Sequence, residues 1–245
     1  MTNFKILIGA GVFALCASVV SAATVTVSAY TPGSLSAATK GWRSISQDFE
    51  SLGGEHEVGS LATNVGTFST LGGVGTGGTV KEKLSGAKNT GQNLAIRDDN
   101  VFGRHNVAPT TGKYFLDSND TFGLSWDVHL ADGKVFDKLI FALTDAADVG
   151  AFMRISVGGT VLTTLKGLQN GVTKLVMVDF GGAYSSAKIE LGNYTKATGG
   201  AFKKNDGFSI DAIQVAAVPL PAGFLLLGSA LVGFGAMARR RSAKV

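Results

Sequence analysis

The C-terminal residues 218–245 limit where this chain can build a compact domain. Pro219 and Pro221 fix φ and supply no backbone N–H, so the chain around them is expected to be extended and unpaired. Residues 222–238 carry no charge and are rich in Leu, Gly and Ala. Their length is close to the minimum of about 17 residues that a helix needs to cross a bilayer core. The segment is therefore predicted to be a transmembrane helix, and a globular fold must precede it.

A basic cluster follows this apolar segment and predicts its orientation. Arg239, Arg240, Arg241 and Lys244 come directly after it. Positively charged flanks stay on the cytoplasmic side of a membrane. We therefore expect the C-terminus in the cytoplasm and the preceding residues on the outer side.

The tail also carries a recognisable motif. Its residues, in order, are Val218, Pro219, Leu220, Pro221 and Ala222, and the apolar segment and basic cluster follow immediately. This arrangement resembles the PEP-CTERM class of Gram-negative sorting tails, in its VPLPA-CTERM variant. The resemblance implies that an exosortase-type transpeptidase cuts beside the motif after the inner membrane has held the protein transiently. It further implies a place at the cell surface or in the extracellular matrix, in association with exopolysaccharide or biofilm. A plain, uncut membrane anchor is the alternative.

The N-terminal residues have the features of a secretory signal peptide. Lys5 supplies the positive charge, residues 6–20 are apolar, and small residues end the segment at Ala22. Signal peptidase is expected to cut between Ala22 and Ala23. The chain is thus divided into a signal peptide (1–22), an extracytoplasmic domain (23–217) and a sorting tail (218–245).

Removal of both ends changes the charge of what remains. The whole chain has 22 Lys and Arg against 18 Asp and Glu, but five of the basic residues and no acidic residue lie in the removed segments. The mature domain keeps 17 basic and 18 acidic residues, a net charge of −1. No excess of positive charge is left to bind nucleic acid. The only cysteine, Cys16, also leaves, so the domain must fold without a disulfide.

Residues 23–217 are predicted to form an all-β domain, either an antiparallel sandwich or a jelly roll. The clearest strand is 121–130, in which apolar and polar residues alternate and Trp126 is expected to face the core while Asp127 and His129 face solvent. Residues 42–52 are compatible with a helix or a strand, and 53–91 with loops and weak strands. The other predicted strands are 23–29, 135–144, 151–157, 160–165, 173–180, 187–191 and 208–215.

Three local patterns add detail to this prediction. The apolar run 139–143 indicates a central strand that is covered on both faces. Gly158-Gly159 and Asn170-Gly171 favour tight hairpins, so the C-terminal half is predicted to be an antiparallel meander. The apolar phase shifts between Ile210 and Ile213, which predicts a β-bulge near Asp211 and Ala212.

Most motifs with chemical meaning lack the context that they require. Residues 73–78 match a dinucleotide-binding glycine pattern, but no parallel strand and helix flank them. Asp127 and His129 have no partner nucleophile, and residues 55–57 hold a Glu-His-Glu run whose neighbours point to opposite sides of an extended chain. No cofactor is expected on these grounds.

Calcium is the ion that the sequence favours most. Two oxygen-rich loop clusters are its candidate ligands: Asp98 and Asp99, and Asp117, Asn119 and Asp120. A turn-forming role, in which these side chains bond their own backbone, is the preferred interpretation.

The expected function is that of a non-enzymatic, exported surface or matrix protein. A carbohydrate-binding module is the first alternative, and aromatic residues grouped on an exposed sheet face would favour it. A secreted hydrolase is the second, and two carboxylates converging in a pocket would favour that.

Overall fold

The computed structural model of this chain describes residues 22–73, 84–85, 89–98, 100–107, 112–119, 121–203 and 206–218. Across these ranges, no helix is long and apolar enough to cross a membrane. The predicted signal peptide, apart from Ala22, lies outside the described residues. So do the tail from Pro219 onward, with its predicted transmembrane helix and basic cluster, and most of the glycine pattern at 73–78.

The regular structure of the described chain is almost entirely β-strand, as its composition predicts. One short helix, α1, spans Ser34–Ala38, and a 3-10 turn spans Glu50–Leu52. The strands are β1 (Thr24–Ala29), β2 (Ser44–Gln47), β3 (His56–Val58), β4 (Ser60–Thr63), β5 (Gly66–Thr70), β6 (Leu94–Arg97), β7 (Phe115–Asp117), β8 (Gly123–Val128), β9 (Val135–Thr144), β10 (Phe152–Val157), β11 (Thr160–Lys166), β12 (Thr173–Tyr184), β13 (Ala187–Tyr194) and β14 (Ser209–Val218).

These strands form two antiparallel sheets that pack as a sandwich. The eight-stranded sheet has the order β1-β12-β9-β14-β7-β6-β3, and β2 pairs with the second half of β14. The six-stranded sheet has the order β11-β10-β13-β8-β5-β4. One apolar cluster lies between them and takes side chains from both sheets. The prediction of an all-β antiparallel sandwich is confirmed at this level.

Trp126 occupies the centre of that cluster. Its ring stacks on Phe68 of the same sheet at 5.0 Å between centroids and meets Phe141 of the opposite sheet edge-on at 6.1 Å. The indole N–H donates to the backbone oxygen of Val65 at 3.0 Å, so burial leaves no polar atom of this side chain without a partner. The inward direction predicted from the alternation of β8 is confirmed.

The opposite face of β8 differs from the prediction. Asp127 is exposed as expected, but Gly123 and Ser125 are buried. A Cβ at Gly123 would overlap the backbone oxygen of Leu191, and its φ of +142° is one that glycine adopts most easily. Alternation identifies the core face of a strand, but it does not show how closely a neighbouring strand approaches the other face.

β9 is the central strand that its apolar run predicts. It pairs with β12 on one side and β14 on the other, and its bounds agree with the prediction. Its outer face also carries buried residues, because a second small cluster around Ile140 and Ala142 is covered by Tyr30, Leu35 and Trp42. The N-terminal segment thus protects the outer face of β9.

The bulge predicted in β14 is present. Asp211 pairs with Ala142, whereas Gln214 pairs with Ile140, so β14 holds one extra residue between these pairs. Ala212 absorbs the irregularity with a φ of +52°. The extra residue explains why Ile210 and Ile213 both reach the core.

The predicted meander is wrong. Gly158 and Gly159 do close a tight hairpin between β10 and β11. The turn at Asn170 and Gly171, however, carries the chain from one sheet to the other, and the chain changes sheet again after β9, β12 and β13. Turn residues specify a local reversal, but packing of the two sheets decides which strand becomes the neighbour.

Both ends of the folded domain lie at one end of the sandwich. Thr24 pairs with Asp179, which pairs with Lys138, which pairs with Ala216. We call this the basal end. The apical end lies at the opposite ends of the same strands and includes the loop residues 100–107, 145–150, 195–203 and 206–208.

Candidate functional site

A buried ion-pair cluster lies at the apical end of the eight-stranded sheet. Asp117 ends β7 with no exposed surface, and its Oδ2 lies 2.6 Å from Nε of Arg97 on β6. Its Oδ1 accepts a hydrogen bond from Nη1 of Arg104 at 2.7 Å and another from the backbone N–H of Asn119 at 2.7 Å. One carboxylate therefore connects two strands and two apical loops.

The loop that carries Arg104 holds the guanidinium of this residue beside Asp117. Val101 and Arg104 form a two-residue hairpin through reciprocal backbone hydrogen bonds of 2.9 and 3.0 Å. Nε of Arg104 donates to the oxygen of Val101 at 3.2 Å. Gly207 faces the guanidinium, and a Cβ there would overlap it. Both guanidinium groups are nearly excluded from water, so the ion pairs with Asp117 offset the cost of burying their charges.

A second apical group contains carboxylates that, among the described residues, have no cationic partner at hydrogen-bonding distance. Asp206 is 4% exposed, and no residue that the structure describes donates a hydrogen bond to either of its carboxylate oxygens. The carboxyl of Asp148 lies within hydrogen-bonding reach of it, and Asp145 is a further negative neighbour. Asn193 is fully buried beside them and donates through Nδ2 to the backbone oxygen of Asp206, while its Oδ1 has no partner.

The electrostatics of this group follow from burial and from like charges. Burial is the main cause that raises the pKa of Asp206 to about 8, and the Asp148 carboxyl is the next. Asp145 raises this pKa further, and Lys203 opposes the rise. Burial also raises the pKa of Asp145 to about 6, although its Oδ1 accepts a hydrogen bond from the backbone N–H of Gly171 at 2.8 Å. Lys203 and Arg104 therefore compensate the negative charge of this group only in part.

The residues that the sequence offered for calcium have other contacts. Asp98 pairs with Lys113 at 3.1 Å, and Asp117 is held by the two arginines. Asn119 exchanges side-chain hydrogen bonds with Asn89 at 3.0 and 2.8 Å. Asp99 and Asp120 lie outside the described residues. Among the side chains that the structure describes, no three of His, Cys, Asp and Glu are grouped so that they could hold a metal ion by themselves.

The remaining candidates from the sequence serve local structure. His129 is exposed and its Nδ1 bonds the backbone oxygen of Asp127 at 3.0 Å. In the run 55–57, Glu55 accepts a hydrogen bond from the backbone of Ser85, and Glu57 accepts from the backbone and hydroxyl of Thr90. These carboxylates fix neighbouring loops.

Aromatic side chains group on the six-stranded sheet, but they cover one another. Phe202 is stacked between Phe122 and Tyr194, with centroids 4.7 Å away in each case. The guanidinium of Arg154 lies 3.8 Å above the Tyr194 ring, and Gly73 packs against Phe122. The stack therefore leaves no open ring face on which a sugar could pack.

Phe102 is the large apolar side chain most exposed among the described residues. It is 57% exposed at the tip of the 101–104 hairpin, with a φ of +53°. The Arg104 guanidinium lies 5.6 Å from its ring centroid. A non-glycine residue in this backbone region is unusual, and such positions often present side chains for function.

No protein-family model matches this chain, and no curated protein matches it. Among solved structures, it is similar over part of its length to a family 35 carbohydrate-binding module from Clostridium thermocellum, with 12% identity and a TM-score of 0.31. That match covers 51% of this chain and 88% of the module. It is also similar to a glycoside hydrolase family 43 arabinoxylan arabinofuranohydrolase from Bacillus subtilis, with 14% identity and a TM-score of 0.30, over 52% of this chain and 25% of that enzyme.

The proximity of the apical acids is not apparent from the sequence because these residues are far apart in the chain. Asp145 and Asp148 follow β9, whereas Asp206 precedes β14. Each has an ordinary loop context, and only the pairing of β9 with β14 brings them together. The one local signal was the position of all three beside strands with a predicted core face.

Proposed function

We propose that this chain is an exported cell-surface or matrix protein whose single β-domain is separated by cleavage from its signal peptide and its sorting tail. The observation that carries the proposal is the tail 218–245, in which a complete proline motif, an apolar segment and a basic cluster follow one another. Signal peptidase and an exosortase-type transpeptidase are the partners in processing. The proposed place of the product is the extracellular matrix, in contact with polysaccharide.

The bounds of the sandwich support this proposal. β1 begins at Thr24, one residue after the predicted signal-peptidase cut, and β14 ends at Val218, the first residue of the proline motif. Both lie at the basal end, on strands separated by three strand spacings, or roughly 14 Å. A domain tethered at this end would direct its apical loops away from the membrane.

Replacing both prolines of the motif tests the sorting step. Pro219→Ala with Pro221→Ala removes the extended strip but keeps the apolar segment and its basic flank. We expect normal export, loss of release, and an uncut membrane-bound form on immunoblots of cell fractions. The matched control is Leu231→Ala, a change within the apolar segment that should leave release unchanged. Normal release of the double variant would contradict the sorting proposal.

We propose no catalytic role for the apical acids. Glycosidases hold their two carboxyl groups about 5 Å or more apart, because the sugar or a water molecule must fit between them. Asp148 and Asp206 are instead within hydrogen-bonding reach, and Asp206 is almost fully buried. This arrangement differs from the separated pair that a glycosidase uses.

Carbohydrate binding through the apical hairpin is the second candidate. The exposed ring of Phe102, held at the tip by a strained backbone, is the observation that favours it. We expect Phe102→Ala to weaken retardation in gels containing the host's extracellular polysaccharide by roughly threefold to tenfold. Val161→Ala, which alters an exposed side chain on β11, is the control. Equal retardation of wild type and Phe102→Ala would remove this candidate.

A further inference from the structure

The acids around Asp206 raise the question of what neutralises them. A buried carboxylate normally accepts hydrogen bonds or faces a cation, because an unpaired buried charge is costly. Asp206 has neither at hydrogen-bonding distance among the described residues, and its nearest ionisable neighbour is another carboxyl, that of Asp148. Lys203 is the nearby positive group. It lowers the pKa of Asp206, but by less than burial or either neighbouring carboxyl raises it.

The oxygens in this place are those that a hard cation binds. Two carboxylate oxygens of Asp206 and Oδ1 of Asn193 are buried and have no hydrogen-bond partner in the described part of the chain, and these two residues are in direct contact. Asp148 adds a third side chain, and it is half-buried, so it connects the group to solvent. Calcium takes six to eight oxygen ligands from carboxylates, amides, backbone carbonyls and water, and it tolerates irregular geometry.

We propose that Asp206, Asp148 and Asn193 bind one calcium ion at the apical end of the sandwich, with water completing the coordination. The two carboxylates balance the charge of the ion, and Asp145 adds negative potential beside them. The site joins the segment after β9, the end of β13 and the segment before β14. A bound ion would therefore fix two apical loops, whose carboxylates otherwise repel one another, to the end of β13.

This site differs from the calcium clusters that the sequence suggested. Asp98 and Asp117 each face a cation already, at 3.1 Å and at 2.6 and 2.7 Å. By contrast, no described residue donates a hydrogen bond to the side-chain oxygens of Asp206 and Asn193. The proposed ligands are therefore not the residues of the two local clusters but residues that are distant from one another in the sequence. The proposal is also independent of the sorting tail and of carbohydrate binding.

The test is calcium titration of the full chain, purified in mild detergent and freed of metal with a chelator. Isothermal titration calorimetry with calcium chloride should give one ion per chain, with a dissociation constant of about 10⁻⁴ to 10⁻³ M, as in other extracellular modules. At about 10 mM calcium the melting temperature should rise by roughly 5 °C. Magnesium should have a smaller effect, because it demands a more regular geometry.

Three variants locate the site. Asp206→Asn should abolish the calcium heat and the rise in melting temperature, and it should melt no lower than wild type in chelator, because it removes a buried acid whose oxygens no described residue satisfies. Asp148→Asn, a half-buried position, should weaken binding at least about tenfold. Asp98→Asn is the control and should bind as wild type does.

Several results would overturn the proposal. Wild type without calcium heat and with an unchanged melting temperature would show that the acids share a proton instead of an ion. Full binding by both Asp206→Asn and Asp148→Asn would place the ion elsewhere, as would loss of binding in Asp98→Asn. If Asp206→Asn fails to fold, undiminished binding by Asp148→Asn alone would still contradict the site.

Discussion

Trp126→Asp is expected to leave the domain unfolded. The substitution removes the ring that joins Phe68 and Phe141 across the core, and loss of a buried aromatic costs about 3–5 kcal/mol. It also buries a carboxylate among the apolar side chains of the core, and an unpaired buried charge adds several kcal/mol to this cost. The sum approaches the whole stability of a typical domain, about 5–15 kcal/mol. Circular dichroism of residues 23–218 expressed alone should show loss of the β spectrum.

The matched control lies on the same part of the chain. His129→Ala changes an exposed side chain whose ring bonds only a backbone oxygen, so its stability should stay within about 0.5 kcal/mol of wild type. A folded Trp126→Asp domain with a native β spectrum would mean that β8 does not face the core. Unfolding of His129→Ala would contradict the assignment of its side chain to solvent.

Asp117→Asn is expected to produce the second large loss. The amide keeps the shape of the side chain but removes the carboxylate that pairs with two buried guanidinium groups, Arg97 and Arg104. Removal of one member of a buried ion pair costs about 3–5 kcal/mol. Reversible urea unfolding of residues 23–218 should therefore shift to lower denaturant concentration with an unchanged slope.

A combined replacement separates lost charge balance from lost packing. Asp117→Leu with Arg97→Met and Arg104→Met removes all three charges together, and we expect it to recover much of the stability. Asp132→Asn, which alters an exposed acid in a turn, is the control and should unfold as wild type does. A fall of less than about 1 kcal/mol for Asp117→Asn would show that the cluster contributes little.

The sequence predicts those features of the fold that depend on neighbouring residues. The alternation around Trp126 identifies a core-facing strand, the apolar run 139–143 identifies a central one, and the phase shift after Ile210 identifies a bulge. Each pattern reflects which side of one strand meets apolar surroundings. These predictions are confirmed because local burial is their cause.

Sheet membership and the apical acids depend on distant contacts. Asn170 and Gly171 form a turn, yet they connect two sheets, because the pairing of β12 with β9 and β1 outweighs pairing with β11. Asp145 and Asp206 become neighbours only when β9 and β14 pair. The local sequence does not specify which strands pair, so the predicted meander is wrong, and the position of the acids beside strands did not show that they meet.

The mass of the native product tests the central proposal most directly. Intact-mass spectrometry of the protein from the cell surface or culture supernatant should give a chain that starts at Ala23 and ends within residues 218–222, because both flanks are motifs for removal. That product would keep β1 and β14 nearly whole. A native product that retains Arg239, Arg240 and Arg241 would contradict the proposal and make the tail a permanent membrane anchor.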